Sequence, residues 1–270
     1  MRGDRQRHRN NDVGQGVFNA GTIPRLALGC LTVLLMYPGD GLAAIWPVSG
    51  AVDPSEWTLR TGAVYQKDVV LPFRAGPRTR AESRTEVRWS PSPSVQLDGQ
   101  WGWLWDEMPA GQSVSGAGDV HLGVHAVAWS GPVDLGFAWQ VKLPNATDES
   151  ELGSDETDST VAGTVGWIHD HWSVQGTAGV QISGDPIRFA NQDDAALMRL
   201  HVSGQSGNVL WGTHVGGTLA TSRNPARMTI DVEGEKGCRI RAGGRATKGL
   251  TPAAPSWGVY GWVGFGPSCD

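Results

Sequence analysis

The stretch Val133-Asp134-Leu135-Gly136-Phe137-Ala138-Trp139-Gln140-Val141-Lys142-Leu143 decides the fold. Its odd-numbered residues, Val133, Leu135, Phe137, Trp139, Val141 and Leu143, are all apolar and mostly large. Its even-numbered residues, Asp134, Gly136, Ala138, Gln140 and Lys142, are small, polar or charged. A period of two places these sets on opposite sides of an extended strand. One side suits lipid and the other a wet interior. The stretch also matches the roughly 9–11 residues that a tilted strand needs to cross a bilayer.

The pattern repeats on both sides of this segment. Before it, Val120, Leu122, Val124, Ala126 and Ala128 oppose Asp119, His121, Gly123 and His125, and Ser130-Gly131-Pro132 supplies a tight turn. Val95, Leu97, Trp101, Trp103 and Trp105 oppose Gln96, Asp98 and Gln100. After it, Trp172, Val174, Ala178, Val180 and Ile182 oppose His171, Ser173, Gln175, Thr177 and Gln181. Met198, Leu200 and Val202 oppose Arg199, His201, Ser203 and Gln205. Met228, Ile230 and Val232 oppose Arg227, Thr229, Asp231 and Glu233. Trp257, Val259, Val263 and Phe265 oppose Gly258, Tyr260, Trp262 and Gly264.

Strands are therefore expected near 57–65, 81–89, 94–105, 118–129, 133–143, 158–168, 171–183, 196–205, 208–219, 226–235, 238–246 and 256–265. Their connections alternate. Short turns fall at 90–93, 130–132, 169–170, 206–207 and 236–237. Longer, more polar loops fall at 66–80, 106–117, 144–157, 184–195, 220–225 and 247–255. An even strand count with short turns at one end and long loops at the other is the pattern of a bacterial membrane barrel. A soluble β-sandwich also alternates its faces, but has no reason to alternate its connection lengths so regularly. The expected fold is all-β, a transmembrane antiparallel up-and-down β-barrel of about twelve strands.

Composition agrees. The chain of 270 residues carries 38 Gly and 13 Trp, a balance that favours strands over long helices. Its net charge of −5 argues against a general nucleic-acid role. The first 44 residues read as an export signal. Arg2, Arg5, Arg7, Arg9 and Arg25 form a basic region, Leu26 to Tyr37 an apolar core, and Gly41-Leu42-Ala43-Ala44 a small-residue cleavage site. The core is too short for a spanning helix. It also continues past Cys30, which disfavours a lipoprotein reading of Leu28-Gly29-Cys30. The barrel domain then runs from residue 45 to 270, with a formal charge of −7.

Gly118-Asp119-Val120-His121-Leu122-Gly123, then Gln140-Val141-Lys142-Leu143-Pro144, an acidic loop, Gly153-Ser154, Asp158 and Gly184-Asp185 form an ordered set of motifs. Upstream lie Arg84-Thr85-Glu86-Val87-Arg88-Trp89 and Asp106-Glu107-Met108-Pro109. This order resembles the outer-membrane family of meta-pathway phenol-degradation proteins, often called transporters, over about residues 57–265. The resemblance implies an outer-membrane barrel that passes small hydrophobic compounds, and it brings no catalytic residues. The chain departs from barrel habit at its end, where five residues, Gly266 to Asp270, follow Phe265.

The side chains expected in the lumen carry both signs. The acids are Glu82, Glu86, Asp98, Asp119, Asp134, Asp231 and Glu233; the bases are Arg60, Arg84, Arg88, Lys142, Arg199, Arg227, Arg239, Arg241 and Arg245. They either pair to fill a narrow lumen or line a selective pore. A filled or gated lumen is the favoured reading over a steadily open one. Arg239, Arg241 and Arg245 share one face, and opposition to Asp231 and Glu233 is favoured over a free basic ladder. His121, His125, His201 and His214 point inward. His121 and His125 lie some 13 Å apart along their strand, too far to share a metal. No metal or cofactor is expected.

Acyl transfer would need a serine and histidine together at the lipid face, and no Gly-x-Ser-x-Gly elbow occurs. The chain is read as a non-enzyme. Asp148, Glu149, Glu151, Asp155 and Glu156, with the flanking Asp158, form a solvated acidic loop. Divalent ions bridging to lipopolysaccharide are its alternative. Cys238 and Cys269, both at the short-turn end in an oxidising compartment, are expected to pair. The expected role is a channel or facilitator for small molecules in the outer membrane. A structural or adhesive barrel working through its outer loops is the alternative. Expected partners are outer-membrane lipid and lipopolysaccharide, a small-molecule solute and the barrel-assembly machinery.

Overall fold

A computed structural model describes residues 57–70, 76–109, 111–146, 152, 156–184, 193–221 and 225–266. Residues 1–44, read above as an export signal, and Cys269 lie outside these residues. So do most of the acidic residues of the 144–157 loop, Asp148, Glu149, Glu151 and Asp155.

Thirteen strand segments follow one another: β1 (Trp57–Val69), β2 (Arg78–Ser92), β3 (Val95–Glu107), β4 (Ser113–Ala117), β5 (Val120–Trp129), β6 (Asp134–Leu143), β7 (Asp158–His169), β8 (Trp172–Ser183), β9 (Asp193–Ser206), β10 (Val209–Thr218), β11 (Arg227–Gly237), β12 (Ile240–Gly249) and β13 (Trp257–Phe265). Every pairing is antiparallel, and β1 pairs with β13 as well as β2. The ring closes because β3 pairs with β2 on one side and with both β4 and β5 on the other. The two segments β4 and β5 occupy one position in the ring, interrupted at Gly118-Asp119. The barrel therefore has twelve staves. Closure pairs the backbone groups of every stave on both sides, which a hydrocarbon environment demands.

The alternation in sequence is the alternation in space. Along β13 every second residue is buried and every other exposed, from Trp257 to Phe265. Outward positions on β6 are Leu135, Phe137, Trp139 and Leu143, each 40–45% exposed, while Asp134, Ala138, Gln140 and Lys142 are buried. A soluble protein would not leave so continuous an apolar surface in water. Exposed Trp57, Trp89, Trp129, Trp167, Trp172 and Trp211 gather at the short-turn end. Tyr65, Trp105 and Trp257 mark the long-loop end, with the Tyr65 and Trp257 rings 5.4 Å apart. Two aromatic girdles flanking an apolar band are the outer surface of a transmembrane barrel.

Several strands run further toward the long loops than expected. β1 continues to Val69, β2 begins at Arg78 and β9 begins at Asp193. The reason for the extension at β2 and β3 is an ion pair. Arg80 donates from Nε and Nη2 to the two carboxylate oxygens of Asp106 at 2.8 and 2.7 Å. These residues face each other in the β2–β3 ladder. Their charge makes each segment read as loop, while their pairing keeps it in the sheet.

At the short-turn end Gly237 has φ of 120°, and a Cβ there would lie 2.2 Å from the Ile240 carbonyl oxygen. Backbone in this region costs an L side chain about 1–3 kcal/mol. Gly237→Ala should lower stability by that amount in urea titrations. A change below 0.5 kcal/mol (roughly the noise of a surface substitution) would contradict the strained turn.

Candidate functional site

The lumen holds the chain's chemistry. Among the described residues it buries nine carboxylates and nine cationic side chains. Glu82, Glu86, Asp98, Asp134, Asp231 and Glu233 are all 8% exposed or less, as are Arg60, Arg84, Arg88, Lys142, Arg199, Arg241 and Arg245. His125, His201 and His214 are equally buried; His121 and Asp119 are half-buried, as is Arg227. Arg239 is the correction. It sits exposed in the β11–β12 turn, ahead of the strand, because the turn takes residues 238–239 and β12 starts at Ile240. His171 also departs from the expected inward set, lying exposed at the β7–β8 turn.

Five further charged residues join the lumen: Arg78, Arg80, Asp106, Asp158 and Glu235. Glu235 continues the inward register of Asp231 and Glu233, so its position was legible from parity. Arg78, Arg80 and Asp106 were hidden because they fall in stretches that read as loop.

Near the short-turn end, one cluster spans a chord of the barrel. Arg60 of β1 reaches Glu235 of β11 at 2.5 Å, passing over β13 and β12. The same Oε2 atom of Glu235 accepts a hydrogen bond from the Trp262 indole N–H at 2.8 Å. The Arg60 guanidinium lies over the Trp262 ring, 5.3 Å from its centroid. Arg241 approaches the other Glu235 oxygen at 3.5 Å and donates from Nε to the Cys238 carbonyl at 2.9 Å. Gly243 makes room: a Cβ there would meet the Trp262 ring at 2.4 Å. Trp262 packs on Tyr260, with ring centroids 4.8 Å apart, and Arg84 and Arg245 flank Tyr260 at 5.5 and 5.8 Å.

Other charges pair nearby. Arg84 holds Glu82 through two contacts of 2.9 and 2.5 Å. Arg245 faces Glu233 across β11–β12 at 3.2 Å, as the opposition of these strands implies. Asp231, by contrast, turns away from the arginines. It accepts from His214 at 2.7 Å, from Thr229 at 3.1 Å and from Thr247 in a short contact. His125 lies 3.5 Å from Asp98. At the long-loop end Lys142 bridges Asp158 at 2.8 Å and Asp119 at 3.6 Å. Asp119 also accepts the backbone N–H groups of Asn145 and Ala146, each at 3.0 Å. Beside this triad Leu104, Ala146 and Leu152 form an apolar cluster with Val114 against it.

Lumenal side chains this buried leave no wide water column among the described residues. The lumen is filled in this state, and most of its charges lie against a partner, as the cost of a lone buried charge demands. No three of its His, Cys, Asp or Glu residues group as metal ligands among the described residues.

Cys238 is disulfide-bonded. Next to it the β12–β13 ladder pairs Ile240 with Phe265, and Gly266 donates its N–H to the Arg239 carbonyl at 3.0 Å. We propose Cys269 as its partner, on the reading that residues 1–44, Cys30 among them, are a cleaved export signal. Non-reducing peptide mass spectrometry of the mature protein should find the 238–269 linked peptide; two free thiols would reject it.

No protein-family model and no curated protein matches the chain. Solved structures do. An outer-membrane channel from Pseudomonas putida F1 superposes with a TM-score of 0.60 at 12% identity, covering 86% of this chain and all of that one. The translocator domain of the autotransporter NalP from Neisseria meningitidis scores 0.49 at 9% identity, covering 80% of this chain and 89% of that one. Outer-membrane phospholipase A from Escherichia coli scores 0.44 at 7%, covering 80% and 91%. At such identities the first likeness is one of fold, and the lower two carry no argument. By fold the chain is a closed, antiparallel, twelve-stave membrane β-barrel similar to an outer-membrane channel.

Proposed function

We propose that the chain is an outer-membrane channel or facilitator for small molecules, closed at rest by its own lumenal side chains. The observation that supports it is the lumen itself. Hydrogen-bonding and charged groups run from Arg241 and Glu235 near the short turns to Arg80, Asp106 and Lys142 near the long loops. A barrel serving only as an anchor has no need of eighteen buried charges, each costly to desolvate. Opening then means rearranging side chains, chiefly the Arg60–Glu235 chord.

Hydrophobic aromatic compounds are the finer reading, supported by the resemblance of residues 82–185 to the phenol-degradation family. Deleting the gene should slow growth on phenol as sole carbon source, and unchanged growth would remove this substrate.

Planar bilayers test the channel. The refolded barrel should give small, discrete openings. A folded barrel that never opens, with or without solute, would instead favour a structural or adhesive role.

A further inference from the structure

The two sides of the lumen differ in kind. From β11 through β12, β13, β1 and β2 to β3, the inward face is crowded with charges, many of them paired. Across from it, on β7, β8, β9 and β10, the inward face is nearly neutral. Thr160, Gln175, Thr177, Gln181, His201 and His214 are all buried there. Among the described residues of these four strands, the buried charges are Asp158, at the long-loop rim, and Arg199.

This neutral wall holds polar atoms that the protein leaves unmatched. Thr160 Oγ1, both ring nitrogens of His201 and Nδ1 of His214 are buried without a hydrogen-bond partner. Thr160, His201 and His214 are each 3% exposed or less. His214 is held in place through its other nitrogen by Asp231 at 2.7 Å. His201 lies directly opposite His214 in the β9–β10 ladder. An unmatched buried donor or acceptor costs about 1–3 kcal/mol, so folding alone does not explain several on one wall. The charged wall also leaves atoms unmatched, both carboxylate oxygens of Glu86 among them, but they belong largely to ionised groups, and there Arg60, Arg84, Arg80 and Arg245 already grip Glu235, Glu82, Asp106 and Glu233.

We infer that the β7–β10 wall is the solute path, and that it takes uncharged small molecules bearing hydroxyl or amide groups. Such a solute matches the open hydrogen-bonding atoms without disturbing the ion pairs opposite. A small ion gains little from this wall, which offers few charges to replace its hydration. The inference rests on the channel reading and names its substrate class.

Liposome swelling with the full mature barrel tests it, using glycerol and arabinose as neutral probes and sodium acetate as the charged one. Neutral probes should enter at least tenfold faster than acetate. Thr160→Val keeps the side-chain shape and removes a hydroxyl with no partner in the protein. It should leave the unfolding midpoint unchanged and slow glycerol entry at least threefold. His201→Leu should slow it similarly. Acetate entry matching glycerol, or glycerol entry untouched by both variants, would overturn the inference while leaving a channel in place. Entry of no probe at all would overturn both it and the channel reading.

Discussion

Glu235→Ala should destabilise the barrel by about 3–5 kcal/mol, the cost of stripping one partner from a buried ion pair. Glu235 is 2% exposed and anchors three groups at once: Arg60, Arg241 and the Trp262 indole. Without it two guanidinium groups remain buried and close together. The loss should appear as a lower urea midpoint, followed by heat-modifiable gel migration. The same variant should lengthen openings in bilayers, because Arg60 no longer has a group to reach across the lumen. Replacing all three charges, as in Arg60→Leu, Arg241→Leu and Glu235→Leu together, should recover much of the stability, since no unpaired charge is left in the cluster. A loss below 1 kcal/mol for Glu235→Ala would show that the chord does not hold the lumen.

Leu200→Arg is the second large effect. Leu200 lies near the middle of β9, faces outward and is 48% exposed. In a bilayer an arginine at mid-depth costs about 2–4 kcal/mol, falling to about 0–1 near the interface. Trp129, 64% exposed at the short-turn end of β5, supplies the comparison. Leu200→Arg should therefore be the more destabilising in lipid vesicles, and Trp129→Arg much milder in its charge cost. Equal, small penalties at both sites would mean that the outward face does not meet hydrocarbon.

The sequence made the barrel legible because lipid and lumen impose opposite demands on neighbouring residues. Each outward Leu135, Phe137 or Trp139 sits beside an inward Asp134, Ala138 or Gln140, and no other environment sustains that over twelve staves. Lumenal positions followed from parity alone, including Tyr260 and Trp262 on β13. Partners did not. Parity puts Asp231 and Glu233 alike on the face that meets Arg245, and only register and side-chain reach decide that Glu233 takes the arginine while Asp231 takes His214 and Thr247. The Arg60–Glu235 contact joins strands that are not neighbours, so no ladder pattern encodes it. Strand ends were also obscured. Arg78, Arg80 and Asp106 look like loop residues by composition, yet their mutual attraction holds them in the sheet. Arg239 erred the other way: it continues the parity of Arg241, but the turn claims it first.

The alternation along 133–143 sets lipid on one side of the strand and packed lumen on the other. Spin labels at single cysteines from residue 134 to 143 test this most directly, in a background lacking Cys238 and Cys269, in lipid vesicles. Collisions with oxygen, which concentrates in hydrocarbon, should peak at 135, 137, 139, 141 and 143 and fall at the residues between. A water-soluble nickel chelate should reach none of the outward mid-strand positions. Oxygen collision rates without a two-residue period, or free access of the chelate to 137, 139 and 141, would contradict the membrane barrel.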